Sequence, residues 1–148
     1  MTEKLTLQIE RTYQAPIEAV FDAFTSEQVM RRWWHVHEHW ETTEATVDLR
    51  IGGVVRVVMR DPDKDVEHGG GGEYTDVDPP RRLAFTWMWD RDRDKEDRRS
   101  LIEIDFEEAD GGTRVRFTHS GLFDAATVRD HEEGWNLCFD LLERELAD

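Results

Sequence analysis

From Val54 onward the chain runs through strand-like alternation four times and then switches once to a long helical period. That single switch constrains the fold more than any other feature. In Val54 to Arg60, Val55, Val57 and Met59 share one face, while Arg56 and Arg60 share the other. Leu83, Phe85, Trp87 and Trp89 share a face of Arg82 to Trp89. Ile102, Ile104 and Phe106 do so in Leu101 to Glu107, and Val115, Phe117 and His119 in Thr113 to His119. A period of two marks a strand with one buried face. Asp124 to Leu146 instead repeats Val128, His131, Trp135, Cys138, Phe139, Leu142 and Leu146 at spacings of three and four. That is an amphipathic helix of roughly 34 Å. Its interior Gly134 costs about 1 kcal/mol against alanine, which points to close approach of another group. One apolar stripe and one apolar sheet face must bury each other. A wide sheet curves, so the two surfaces need not touch everywhere, and the gap between them is where a ligand would sit.

The first third completes the order. Leu5, Leu7 and Ile9 alternate up to Tyr13, predicting a strand. Pro16 suits the first turn of a helix running to about Phe24, with Ile17, Val20, Phe21 and Phe24 on one side. Ser26 is the expected N-cap of a second short helix ending near Arg32. Thr46 to Arg50 is the expected next strand, and Gly52-Gly53 its turn. Asp61 to His68 is expected as a polar loop, with the glycine run Gly69 to Gly72 feeding a strand near Glu73 to Asp78 that Pro79-Pro80 ends. Asp90 to Arg99 is expected as a solvated charged loop, and Asp110-Gly111-Gly112 as a hairpin turn. The prediction is one α+β domain over residues 1–148, in the order β-α-α, about six antiparallel strands, then a long helix.

Charge narrows the partners. Thirty-four acidic against 19 basic residues give a net charge of −15. Nucleic acid and anionic membrane surfaces are therefore excluded as partners. The 38 % apolar share is low, but six Trp and seven Phe inside patterned segments argue against disorder. The lone Cys138 allows no intramolecular disulfide and no cysteine zinc site. No apolar run is long enough to span a membrane, and Met1 to Lys4 opens no secretory signal, so a cytoplasmic protein is expected.

The runs Tyr13-Gln14-Ala15-Pro16 with Val20-Phe21, Arg32-Trp33-Trp34, and Asp48-Leu49-Arg50-Ile51-Gly52-Gly53 fall in a telling order. They are followed by Pro79-Pro80-Arg81-Arg82-Leu83, Gly112-Thr113, and Gly134-Trp135 with Leu141-Leu142. Together they resemble the START-like, helix-grip superfamily (SRPBCC), and within it the family of homologues of the activator of heat-shock protein 90 ATPase. The resemblance implies a hydrophobic cavity between the last helix and the sheet, of the kind related proteins use for lipids, sterols or polyketides. A minority of such proteins are enzymes.

Candidate site residues follow, each with a plainer reading as core or surface. Trp33 and Trp34 point to opposite faces if extended, so one would cap the cavity while the other covers the first helix. Val57, Met59, Phe85, Trp87, Trp89, Phe117, Trp135 and Phe139 are core formers whose aromatic excess suggests a cavity wall. His119, His131 and Asn136 are the candidate polar anchors, with access to the cavity near Trp33 to His39 and the loop around Phe123. His35, His37 and His39 share a face if extended, enough in principle for three metal ligands. The preferred reading keeps them as ordinary side chains, and no metal or other cofactor is expected. Asp48 and Arg50 read as an exposed pair on a strand face. No phosphate loop and no nucleophile elbow is present.

Binding or carriage of a small apolar ligand is the leading expectation. A cavity enzyme of cyclase, dehydratase or hydrolase type, with His119 as the poised group, is the rival. An interaction protein touching a chaperone through its acidic surface is the third reading. A free strand edge makes a homodimer plausible.

Overall fold

The structure, a computed structural model, describes residues 4–147. Met1 to Glu3, part of the segment read for targeting signals, lie outside them. Strand β1 (Leu5–Tyr13) is followed by helices α1 (Ile17–Thr25) and α2 (Glu27–Trp33). Six strands come next: β2 (Glu41–Val47), β3 (Val54–Asp61), β4 (Val66–Asp78), β5 (Arg82–Trp89), β6 (Ser100–Ala109) and β7 (Gly112–Leu122). The long helix α3 (Ala125–Ala147) follows β7. The seven strands form one antiparallel sheet in the order β1-β7-β6-β5-β4-β3-β2. This is the α+β order that the period switch predicts, an antiparallel sheet covered by one long helix, and the helix-grip architecture that the resemblance implies.

Local chemistry sets the helix ends. Pro16 holds an extended conformation as the N-cap of α1, and the Ser26 hydroxyl accepts from the backbone N–H of Val29 to cap α2. Asp124 accepts from the backbone N–H of Thr127 at 2.8 Å to start α3. Gln14-Ala15 is tied to the sheet because the Thr113 hydroxyl donates to the carbonyl of Ala15.

Two expected segments shift. The strand placed at Thr46 to Arg50 lies earlier, at Glu41–Val47, with a bulge between Thr42 and Glu44. Asp48 to Gly53 instead folds back as a tight loop, closed by hydrogen bonds from Asp48 N–H to Val54 and from Gly53 N–H to Arg50. Asp48 and Arg50 therefore pair within that loop, at 2.8 Å, rather than along a strand face. The expected loop Asp61 to His68 contracts to the four-residue turn 62–65, and the glycine run lies inside β4. Neighbouring strands approach so closely there that side chains do not fit. A Cβ on Gly71 would stand 2.2 Å from the Val55 carbonyl oxygen, and one on Gly72 2.1 Å from that of Thr86. Glycine in this strand permits close approach rather than breaking the pairing.

The core has an asymmetry that matters for the site. Helix α3 packs firmly against β1 and α2. Tyr13 donates its hydroxyl to the Phe139 carbonyl at 3.1 Å, and Arg11 bonds Asn136 and Asp140. On this side Phe24, Trp33, Phe106, Phe117 and Phe139 form a continuous aromatic cluster of edge-to-face and tilted contacts. No comparable packing joins α3 to β3 and β4 among the described residues. There the helix stands off from the sheet.

Candidate functional site

The stand-off is a cavity of about 490 Å³ bounded by α3, the segment 34–40, and strands β3 to β5. Five of the six tryptophans face it: Trp34, Trp40, Trp87, Trp89 and Trp135. Several local causes bring them there. Trp34 is the C-cap of α2, where the helix ends and turns its ring inward onto the sheet. Trp87 and Trp89 are on the inward parity of β5, and Trp135 on the buried stripe of α3. The rings interlock. Trp34 stacks on Trp87 at 5.9 Å between centroids and meets Trp135 edge-on at 5.4 Å. Trp87 and Trp89 are perpendicular at 5.4 Å. Trp40 lies flat on His68, 5.0 Å away and 5° from parallel.

Room for this box depends on residues without bulk. A Cβ on Gly70 would stand 2.6 Å from Trp87 Cζ2. A Cβ on Gly134 would stand 3.1 Å from Val36, so the glycine in α3 admits the side chain of the facing segment. That accounts for the interior glycine noted in the sequence.

Two histidines organise the floor and one wall. Trp135 Nε1–H donates to His119 Nδ1 at 3.2 Å, which places the His119 proton on Nε2. That proton goes to Ser100 Oγ at 2.7 Å, and the Ser100 hydroxyl donates on to the Trp87 carbonyl at 3.0 Å. Similarly, Trp89 Nε1–H donates to His131 Nε2 at 3.3 Å, and His131 Nδ1–H donates to the Thr127 carbonyl at 2.8 Å. The rings of His119 and His131 are 5.0 Å apart and perpendicular. Burial drives the His119 pKa down to about 3, with repulsion from His131 adding to it. Burial likewise lowers that of His131, and the Arg91 cation adds to the effect. Both imidazoles are neutral at pH 7, and every ring nitrogen is engaged.

Polar groups at the wall are less fully engaged. Arg91 lies over the Trp89 ring at 5.1 Å and makes no ion pair among the described residues. The Trp87 indole N–H, sealed behind the wall, has no partner among the described residues. His37, His68, Asp130 and Glu133 complete the polar rim. Burial, then Arg91, lowers the pKa of His68.

Six of the fourteen predicted ligand residues thus meet at one surface: Trp34, Met59, Trp87, Trp89, His131 and Trp135. The others lie elsewhere. Trp33 and Trp34 do not point to opposite faces, because the chain is helical up to Trp33 rather than extended. Their rings stack at 5.4 Å, with Trp33 in the layer behind and its N–H donated to the Ala23 carbonyl. Val57, Phe85, Phe117 and Phe139 are packed core behind the wall. His119 is fully buried beneath Trp135 and not on the wall, so it offers no free nitrogen to a molecule in the cavity. Asn136 faces β1 and accepts from Arg11. Phe123 lies away from the cavity under the Arg98 guanidinium, at 3.7 Å.

The histidine run also comes apart, because the segment 34–40 bends instead of extending. His35 turns inward to Thr42 at 3.1 Å, His37 joins the cavity, and His39 faces Asp63 at 3.2 Å. The three share no face and form no triad. Cys138 is on the cavity wall, but burial raises its thiol pKa far above the ordinary value, which leaves it a protonated, inert group.

Sequence reasoning missed Trp40, His68 and Arg91. His68 was legible only with the true start of β4, which sets it opposite Met59. Arg91 belongs to the charged stretch treated as a solvated tip; a 3-10 turn, Asp90–Asp92, folds it back onto Trp89.

A seven-stranded antiparallel sheet gripping a C-terminal helix over an aromatic cavity defines a START-like helix-grip protein. The chain matches the family described as "Activator of Hsp90 ATPase homolog 1-like protein" over residues 14–147, and it belongs to that family. Solved structures agree. An AHSA1 protein from Silicibacter pomeroyi is 29 % identical with a TM-score of 0.81, covering 97 % of this chain and 98 % of the other. An AHSA1-like protein from Aeromonas hydrophila is 27 % identical with a TM-score of 0.79, covering 95 % and 90 %. A protein from Chromobacterium violaceum shares the fold at a TM-score of 0.85 with 21 % identity, covering 97 % and 99 %. No curated protein matches the chain. Among the described residues no helix is long and apolar enough to cross a membrane.

Proposed function

We propose that the protein binds a small, mostly apolar molecule with a planar ring system in the tryptophan-lined cavity. One observation carries this: five of six tryptophans surround a single space of about 490 Å³. That volume is within the range of cofactor and small-molecule pockets. Tryptophan rings supply large rigid contact area at small entropic cost, and their faces favour flat partners. Orientation would come from the rim. Arg91, lying over the Trp89 ring, offers a donor there to an acceptor on the ligand. The mechanism is desolvation and holding, since His119 and His131 have no nitrogen free for proton transfer.

The test is a titration with Nile red, a neutral planar probe, followed by its emission, together with native mass spectrometry of freshly purified protein. Saturable one-to-one binding is expected. Trp40→Ala, at a half-buried position, should weaken it about tenfold, equivalent to ~1.4 kcal/mol. Absence of saturable binding, with no copurifying molecule, refutes the proposal.

A further inference from the structure

A second cluster stands on the outer side of the segment 34–40, where His39 meets the turn between β3 and β4. One ligand atom each from His39, Asp61 and Asp63 lies within 4.8 Å of the others. His39 Nε2 and Asp63 Oδ2 are 3.2 Å apart. Asp61 is the unusual member. It is only 7 % exposed, yet no lysine or arginine pairs with it among the described residues. Its carboxylate takes a single hydrogen bond, at 3.0 Å, from the backbone N–H of Asp63 inside the same turn. Arg60, the nearest arginine in sequence, is committed to Asp65 at 2.8 Å. Elsewhere in this acidic chain partly buried carboxylates do find cations: Asp90 takes Arg56, and Glu103 takes Arg82. A buried carboxylate without a counter-charge is costly, and here two carboxylates converge with one imidazole.

We propose that His39, Asp61 and Asp63 bind a divalent first-row transition ion. The donor set is one imidazole nitrogen and two carboxylate oxygens, a mixture that suits zinc or manganese and not a hard ion demanding oxygen alone. The spacing also suits it. Two atoms bound at about 2.1 Å to a tetrahedral centre lie about 3.4 Å apart, close to the separation of His39 and Asp63. The remaining atoms need to close by less than the reach of one carboxylate rotation. The ion has a structural consequence. It would tie the segment carrying His37 and Trp40, both on the cavity wall, to the β3–β4 turn. The site is separate from the cavity, so its failure leaves the ligand reading untouched.

Untagged protein, stripped with chelator and dialysed, is titrated calorimetrically with zinc chloride and separately with manganese chloride, with magnesium chloride as control. One zinc or manganese ion per chain is expected, with no saturation by magnesium. His39→Ala and Asp63→Asn alter exposed side chains and leave folding intact, which far-ultraviolet circular dichroism checks. Each should weaken the ion's affinity by roughly tenfold or more. The ion should raise the melting temperature of the parent protein and of neither variant. No saturable binding overturns the assignment. So does binding that survives either substitution unchanged, which would mean diffuse attraction to the acidic surface.

Discussion

Acid should weaken this protein through His119, and the size of the effect can be worked out. In the fold both ring nitrogens are engaged and burial holds the pKa near 3, against 6.5 for the free side chain. Between those values the unfolded chain binds a proton that the native state refuses. Stability therefore rises with pH across that window, and it is lost progressively as pH falls from about 6.5 towards 3. At pH 5 the loss from this residue alone is about 2 kcal/mol. The figure barely changes for any folded pKa below about 4, because the unfolded chain sets it. Glutamine provides the comparison: its amide can accept from Trp135 and donate to Ser100, and it does not titrate. Urea unfolding of the parent and His119→Gln at pH 7 and pH 5 measures the difference directly. Carboxylates and the other histidines contribute to both proteins, so they largely cancel. The stability gap between parent and variant should shrink by about 2 kcal/mol on going to pH 5. A gap that holds constant within about 0.5 kcal/mol would mean that His119 is not held neutral, and the hydrogen-bond assignment would fail with it.

Two further substitutions separate the wall from its support. Gly70→Ala would force Trp87 aside, and such overpacking should cost roughly 1–3 kcal/mol in urea unfolding while lowering Nile red affinity. Trp33→Phe removes the N–H donated to Ala23 from the layer behind the cavity. It should cost about 1 kcal/mol in unfolding yet leave probe binding within about twofold, because Trp33 does not reach the cavity.

Much of the architecture was legible because it rests on short-range periodicity. The alternation of Val55, Val57 and Met59, or of Leu83 to Trp89, assigns a buried face without knowledge of any partner strand. The spacing of Trp135, Cys138, Phe139 and Leu142 does the same for α3. Errors arose where local composition misrepresents tertiary context. Glycines 69 to 72 read as a run leading into a strand at Glu73, yet they lie inside that strand, squeezed between close neighbours. Trp33 and Trp34 read as extended, yet α2 continues to Trp33 and stacks the two rings. The three alternating histidines would share one face only if extended, and a bent segment sends them instead to Thr42, to the cavity and to Asp63.

Parity and helical spacing therefore determine which side chains turn inward and that one helix must cover one sheet, since these are properties of the backbone's own repeat. They do not determine how far helix and sheet stand apart at each point. That distance follows from summed side-chain volumes on both surfaces. Phenylalanines close the gap beside β1 and β7, while glycines and a turned-in α2 terminus leave it open beside β3 and β4. The same closure chose among the inward residues. It drew Trp40, His68 and Arg91 to the cavity and sealed His119 beneath it, because only the packed chain decides which buried group still faces empty space.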